Sequence, residues 1–251
     1  MNICMYFQVH QPFRLRKYRV FDIGNNSSYF NASDQTDLNN RKVFEKVANK
    51  CYLPANKTFL ELLKKYPEFK IAYSLSGVFM EQAEEFMPEV IESFQKLVAT
   101  GQVEILSETY YHSLAFLYSQ DEFESQIKLH REKVKELFGF EPKVFRNTEL
   151  IYSDWIGSIV ENLGYKGILT EGADKILGWQ SPNYIYKAHG TQNLKLLLKN
   201  YKLSDDVAFR FSEKSWVEHP LTVEKYCQWL NIPQGDIINL FMDYETFGEH
   251  Q

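Results

Sequence analysis

Residues 143–152 read KVFRNTELIY, a short apolar strand that runs straight into a polar tip carrying Glu149. Residues 236–251, DIINLFMDYETFGEHQ, repeat the pattern: a mostly apolar run from Ile237, then Asp243 and Glu245, then Gly248, Glu249 and His250. In parallel α/β sheets and barrels, the loops at the carboxyl ends of strands hold side chains over a rigid floor, so a carboxylate there is a candidate for chemistry. Two such acids, far apart in sequence, invite a paired-carboxylate mechanism.

Working outward, residues 3–9 form an apolar run of strand length. His10-Gln11-Pro12 stops it, because proline has no ladder donor and restricts the residue before it. Residues 13–40 are a long polar loop. Helical spacing covers 41–51 and 56–66, where Phe59, Leu62, Leu63 and Tyr66 share a face. Strands are expected at 69–75, 103–106, 144–147, 167–170 and 237–242, with extended candidates at 184–187 and 194–199. Helices are expected after Ser76-Gly77, over 88–100, from Ser119 to Gly139 with His130 on its surface, and over 153–163 and 221–230. Roughly seven strands alternating with helices predict an α/β fold with a parallel sheet. A doubly wound open sheet should carry a glycine-rich turn after its first strand; HQP stands there instead, which favours a barrel.

At 251 residues and 44% hydrophobic content, the chain suits one catalytic barrel domain over 1–251. A net charge of -5 argues against nucleic acid as a partner, because phosphate binding is driven by clustered Lys and Arg. The 16 Tyr, 19 Phe and 4 Trp can serve both a large core and sugar-stacking surfaces. Cys4, Cys51 and Cys227 are odd in number and lack a CxxC, which argues against a disulfide framework or thiolate zinc site and suits a reducing compartment. The N-terminus lacks a signal-peptide pattern, and no run approaches the ~18 apolar residues of a membrane span. A cytoplasmic protein without membrane attachment is expected; oligomeric state is not readable.

Glycoside hydrolysis needs two carboxyl groups flanking one bond. Glu149 and Asp243 each follow a buried strand, with Arg146, His10 and His112 on the same predicted rim; the alternative for any one acid is a solvated strand end or a helix cap. No two of the six His lie at the i, i+4 spacing of helical zinc motifs, leaving a metal site assembled from separate strand ends as the rival. No GxSxG, P-loop or GxGxxG occurs.

At these residues the chain resembles glycoside hydrolase family 57, the α-amylase and 4-α-glucanotransferase-like enzymes acting on α-glucans. His10-Gln11-Pro12 matches the family's first motif, FRNTELIY its third and MDYETFGEHQ its fourth; YYHSLA at 110–115 and LSDDVAFRF at 203–211 also match its amylase-like branch. The resemblance implies an incomplete (β/α)7-type parallel barrel and a retaining double displacement on an α-glucan, without cofactor or metal. Glu149 would be the nucleophile and Asp243 the acid/base, about 5–5.5 Å apart. His10 would bind sugar at the cleavage subsite, with His112, Arg146, Asp205, Asp206 and Arg210 on the substrate rim.

The sequence departs from the pattern at three places. Gln8 stands where some members carry a second histidine, Met80 where some carry a glutamate (with Glu81 adjacent), and the chain stops at Gln251, before the helical region bearing the fifth motif. The expectation is therefore a catalytic barrel from a longer protein, with a catalytically impaired carbohydrate-binding fragment and a metal-dependent polysaccharide deacetylase as alternatives.

Overall fold

The computed structural model describes residues 2–30 and 39–251. Part of the long polar loop, residues 31–38, lies outside the described residues. Eight strands are present among those described: β1 (Asn2–Val9), β2 (Ile71–Leu75), β3 (Val103–Leu106), β4 (Val144–Arg146), β5 (Gly167–Thr170), β6 (Tyr186–Lys187), β7 (Lys195–Leu198) and β8 (Ile237–Asp243). They form two four-stranded sheets, β3-β2-β1-β8 and β4-β5-β7-β6, parallel throughout except that β6 pairs antiparallel with the edge of β7.

Two seams bring the sheets into a ring. Ser107, just past β3, bridges Phe145 in parallel; its amide donates to Val144 O at 2.9 Å and its carbonyl accepts from Arg146 N at 2.8 Å. On the far side no regular ladder joins β7 to β8. Asn239 instead donates through Nδ2 to Leu198 O at 2.9 Å, and its carbonyl accepts from Asn200 N at 2.9 Å. The result is the expected α/β architecture, an incomplete barrel of seven parallel strands with β6 as an extra edge.

Alternation along the strands sets the layers, because successive side chains point to opposite faces. Tyr6 turns inward to join Leu106, Leu150, Leu169 and Phe241 in a small interior cluster, while its neighbour Phe7 faces outward. Outside, Phe7 meets Phe59, Tyr73 and Tyr244 at ring separations of 5.4–5.5 Å, in a cluster that seats α1 (Asn40–Val47), α2 (Leu53–Lys65), α3 (Gly77–Phe86) and α4 (Pro88–Val98). A second outer cluster, with Phe123, Phe145, Ile156 and Ile168, seats α5 (Gln120–Phe138) and α6 (Asp154–Asn162). Each such side chain contributes roughly 1.5–3 kcal/mol by leaving water, so much of the aromatic content is structural.

The expected helix ends hold for α5. Ser119 Oγ accepts from Glu122 N at 3.2 Å, and Gly139 closes the helix at φ 80°, a backbone state that favours glycine. The short α7 (Asp174–Leu177), α8 (Tyr201–Ala208) and α9 (Val223–Leu230) complete the set. α8 was not expected from spacing: the Asn200 side chain caps it by accepting from Leu203 N at 3.1 Å. His130 is a correction. It is buried, not on the surface, because it continues the α5 face of Phe123, Ile127 and Val134, and its ring finds Leu75 O at 2.8 Å. No described helix is long and apolar enough to cross a membrane.

Candidate active site

β4 ends at Arg146, and the chain then makes a tight turn in which Glu149 (φ 56°) and Leu150 (φ 57°) both adopt left-handed backbone. For residues with a Cβ this conformation costs on the order of 1–3 kcal/mol each and persists only where neighbours over-determine it. Those neighbours are visible. Asn147 Nδ2 donates to Ile151 O at 2.9 Å, and Leu150 O accepts from Thr170 Oγ1 at 3.3 Å and Glu171 N at 3.2 Å at the end of β5. The turn buries Leu150 and leaves the Glu149 carboxylate 70% exposed, projected from the barrel rim.

Asp243 ends β8, paired in register with Gln8 of β1. It shares with Glu149 a cleft of about 170 Å³, lined also by Arg146, Glu171, Lys199 and His250. A wider groove of about 900 Å³ continues from Glu149, Leu150 and Glu171 past Tyr152, Tyr186 and His189. The two strand ends singled out in the sequence thus face one opening.

His10 follows β1 and donates or accepts through Nδ1 with Ser76 Oγ at 2.7 Å. Its ring stacks on His112, with centroids 4.2 Å apart and planes 21° from parallel. Burial, reinforced by the adjacent His112, pushes the His10 pKa down to about 4, so the ring is neutral at neutral pH. His112, itself at φ 51°, lies with Nδ1 3.0 Å from Glu108 Oε2 and Nε2 3.3 Å from Glu149 Oε1. Beneath it the floor is hydrogen-bonded: Tyr6 OH, Ser74 Oγ and Gln8 Oε1 form a triangle of contacts that shares the two hydroxyl protons, and Gln8 Nε2 donates to Glu108 Oε1 at 3.0 Å. Burial alone would raise Glu108, but the His112 hydrogen bond, with the His112, His130 and Arg146 charges, holds it down at about 2.

Arg146 is buried, and its Nε and Nη1 have no hydrogen-bond partner. A buried guanidinium is costly when its donors are unused.

Asp206 and Arg210 do not join this group. They pair with each other on and just beyond α8, Arg210 Nη1 to Asp206 Oδ1 at 2.6 Å, and the cleft is lined instead by their neighbours Ala208 and Phe209. Asp205 takes Lys199 Nζ at 3.2 Å. Among departures from the motifs, Met80 is buried in the core, and Glu81 accepts from Tyr110 OH at 2.8 Å.

Glu108 is legible in the sequence as a rim residue in the exit of the third strand but without a role, whereas Glu171 and Lys199 escaped selection as site residues, although each directly follows a strand, the signal that picked out Glu149. Among the described residues, no three His, Cys, Asp or Glu side chains are grouped to hold a metal ion.

Two carboxylates, a neutral imidazole and a buried guanidinium thus stand at the carboxyl ends of the strands of a parallel barrel, the face at which barrel enzymes carry their active sites. The chain belongs to Glycosyl hydrolase family 57, whose sequence profile matches residues 4–251. Over its full length it is 51% identical to the "Putative alpha-amylase" of Methanocaldococcus jannaschii, and it spans 52% of that protein, about half its length. The crystal structure of 4-alpha-glucanotransferase from Thermococcus litoralis matches 99% of this chain and 34% of its own, with a TM-score of 0.72 and 21% identity. A family 57 branching enzyme from Thermococcus kodakaraensis matches 99% of this chain and 65% of its own, with a TM-score of 0.70 and 14% identity. At these identities the two structures establish the fold.

Proposed function

We propose that this barrel is a retaining glycosidase or transglycosidase acting on α-glucans, with Glu149 as nucleophile and Asp243 as acid/base. The observation that carries the reading is that the carboxylates ending β4 and β8 line one cleft in a chain of this family. In the first half-reaction Asp243 gives its proton to the glycosidic oxygen while a Glu149 oxygen attacks the anomeric carbon, so the leaving sugar departs and a glycosyl ester forms. In the second, Asp243 takes a proton from water or a sugar hydroxyl as that oxygen attacks the anomeric carbon, and Glu149 leaves as a carboxylate. His10, neutral and anchored on Ser76, offers a hydrogen bond to the bound sugar, and Arg146 lines the same cleft. The 900 Å³ groove beyond Glu149 has room for further sugar units against Tyr152 and Tyr186. Asp206 and Arg210 act in this reading only by supporting the cleft wall at Ala208 and Phe209.

Incubation with maltooligosaccharides, with products resolved by chromatography, tests the reading. Shorter or redistributed oligomers are expected, and Glu149→Ala and Asp243→Asn should each reduce turnover by about 10³-fold or more. Binding of glucan without turnover by the unaltered chain would favour the binding-fragment alternative, and activity abolished by a chelator would favour metal-dependent deacetylation.

A further inference from the structure

The hydrogen-bond chain beneath Glu149 has a fixed direction. Gln8 Oε1 already receives a hydroxyl proton from the Tyr6 and Ser74 pair, so the Gln8 amide presents its NH₂ to Glu108. Glu108 is buried and acceptor-only, taking Gln8 Nε2 on one oxygen and His112 Nδ1 on the other, both at 3.0 Å. His112 therefore carries a proton on Nδ1. Its other nitrogen, Nε2, faces Glu149 Oε1 at 3.3 Å, and with Nδ1 committed, that contact is a hydrogen bond only when one further proton lies between the two atoms.

The geometry points to Glu108 as a positioning residue that acts through His112: by keeping a proton on Nδ1 it makes the ring cationic whenever Nε2 also carries the proton that faces Glu149 Oε1, leaving the second Glu149 oxygen to face the sugar. Independent features brace the arrangement. The His10 ring stacks on His112 at 4.2 Å and limits its rotation, and His112 and Glu149 both sit in left-handed backbone that needs such bracing. The low pKa of Glu108 agrees, since an ionised acceptor is what the scheme needs.

The kinetic part of the inference rests on Glu149 being the nucleophile. In the first step the free Glu149 oxygen bonds to the anomeric carbon and Oε1 becomes the ester carbonyl oxygen. In the second step that C–O bond breaks and its electron pair returns to the carboxylate. With the proton on Nε2, His112 then donates a charge-assisted hydrogen bond to Oε1 and stabilises the departing carboxylate.

Replacing Glu108 by Gln tests this with two readouts. Because Gln8 keeps donating, the new amide oxygen must face Gln8 and its NH₂ must face His112, so Nδ1 becomes an acceptor and the tautomer reverses, leaving a neutral ring whose Nε2–H still faces Glu149 but without the positive charge. Nitrogen-15 spectra of the His112 ring, taken without substrate, are expected to show a protonated Nδ1 in the unaltered chain and an unprotonated Nδ1 in Glu108→Gln. Maltooligosaccharide kinetics are expected to show kcat lowered at least about tenfold with KM within about twofold. An unprotonated Nδ1 in the unaltered chain overturns the inference, even if the variant fails to fold. So does a ring signature unchanged by the substitution, or unchanged kcat. Because the ring signature needs no turnover, a chain without glycosidase activity would defeat the catalytic reading while the tautomer result separately decides the role of Glu108.

Discussion

Two buried carboxylates are driven in opposite directions by their surroundings. Glu245 sits beneath Asp243, accepts a hydrogen bond from Tyr52 OH, and is pushed up to about 7, chiefly by burial, with the Asp243 charge adding to it. Its folded state thus holds a proton more tightly than the unfolded chain, whose carboxyl titrates near 4.5. The resulting stability is full below pH 4.5 and is lost as pH rises to 7, a loss of roughly 3 kcal/mol. Glu108 has the opposite sign: its contribution is present above pH 4.5 and is lost as pH falls toward 2. Glu245→Gln keeps an oxygen for Tyr52 and removes the titration, so urea midpoints measured from pH 4.5 to 8 should flatten relative to the unaltered chain. Parallel curves for the two proteins would show that Glu245 is not the group responsible. Glu149 and Asp243 were legible as candidates because an apolar run followed by an acid needs no tertiary information. That Glu245 is buried while Asp243, two residues away, lines the cleft was not, since it depends on Tyr52 arriving from the π-helical turn before α2.

Elements place these residues through close contacts at their ends. α3 begins at Gly77, whose amide donates to Tyr110 O at 2.7 Å and whose Cα lies so close to the Tyr110 ring that an added Cβ would overlap it. This contact ties α3 to the β3 exit loop that carries Glu108 and His112. Gly77→Ala should displace the ring, cost about 1–3 kcal/mol by overpacking and reduce activity along with stability; thermal melting and oligosaccharide turnover check both. An unchanged melting temperature would mean that the ring yields freely. Spacing announced α5 because its face repeats and both ends are capped. It misplaced His130 because a polar ring on that face reads as solvated until Leu75 O is seen to receive it. α8 was missed because Asn200 serves at once as its cap and as the link to β8.

At the scale of the molecule the barrel depends on its irregular seam. Asn239 is fully buried and, with its main chain, spans from β8 to Leu198 and Asn200, where regular pairing is absent. Asn239→Leu removes that donor and leaves a buried carbonyl unsatisfied. A loss of about 1–3 kcal/mol is expected in denaturant unfolding, with faster amide exchange along β7 and β8 than along β2. Uniform exchange in all strands would show that the seam is not the weak point. The amino-acid sequence by itself determined the strand and helix alternation, the parallel α/β class and the acidic strand ends, because these follow from local periodicity, proline and glycine stops and the placement of polar residues after apolar runs. Tertiary structure alone decided which strand ends share a cleft, that Asp206 and Arg210 pair with each other, and that Gln8, Glu108 and His112 form one directed chain beneath Glu149. The i, i+4 pair of Asp206 and Arg210 aside, those relations join residues as far apart as Gln8 and Asp243, and they arise only when the ring of strands brings separate ends to one rim, which local pattern does not encode.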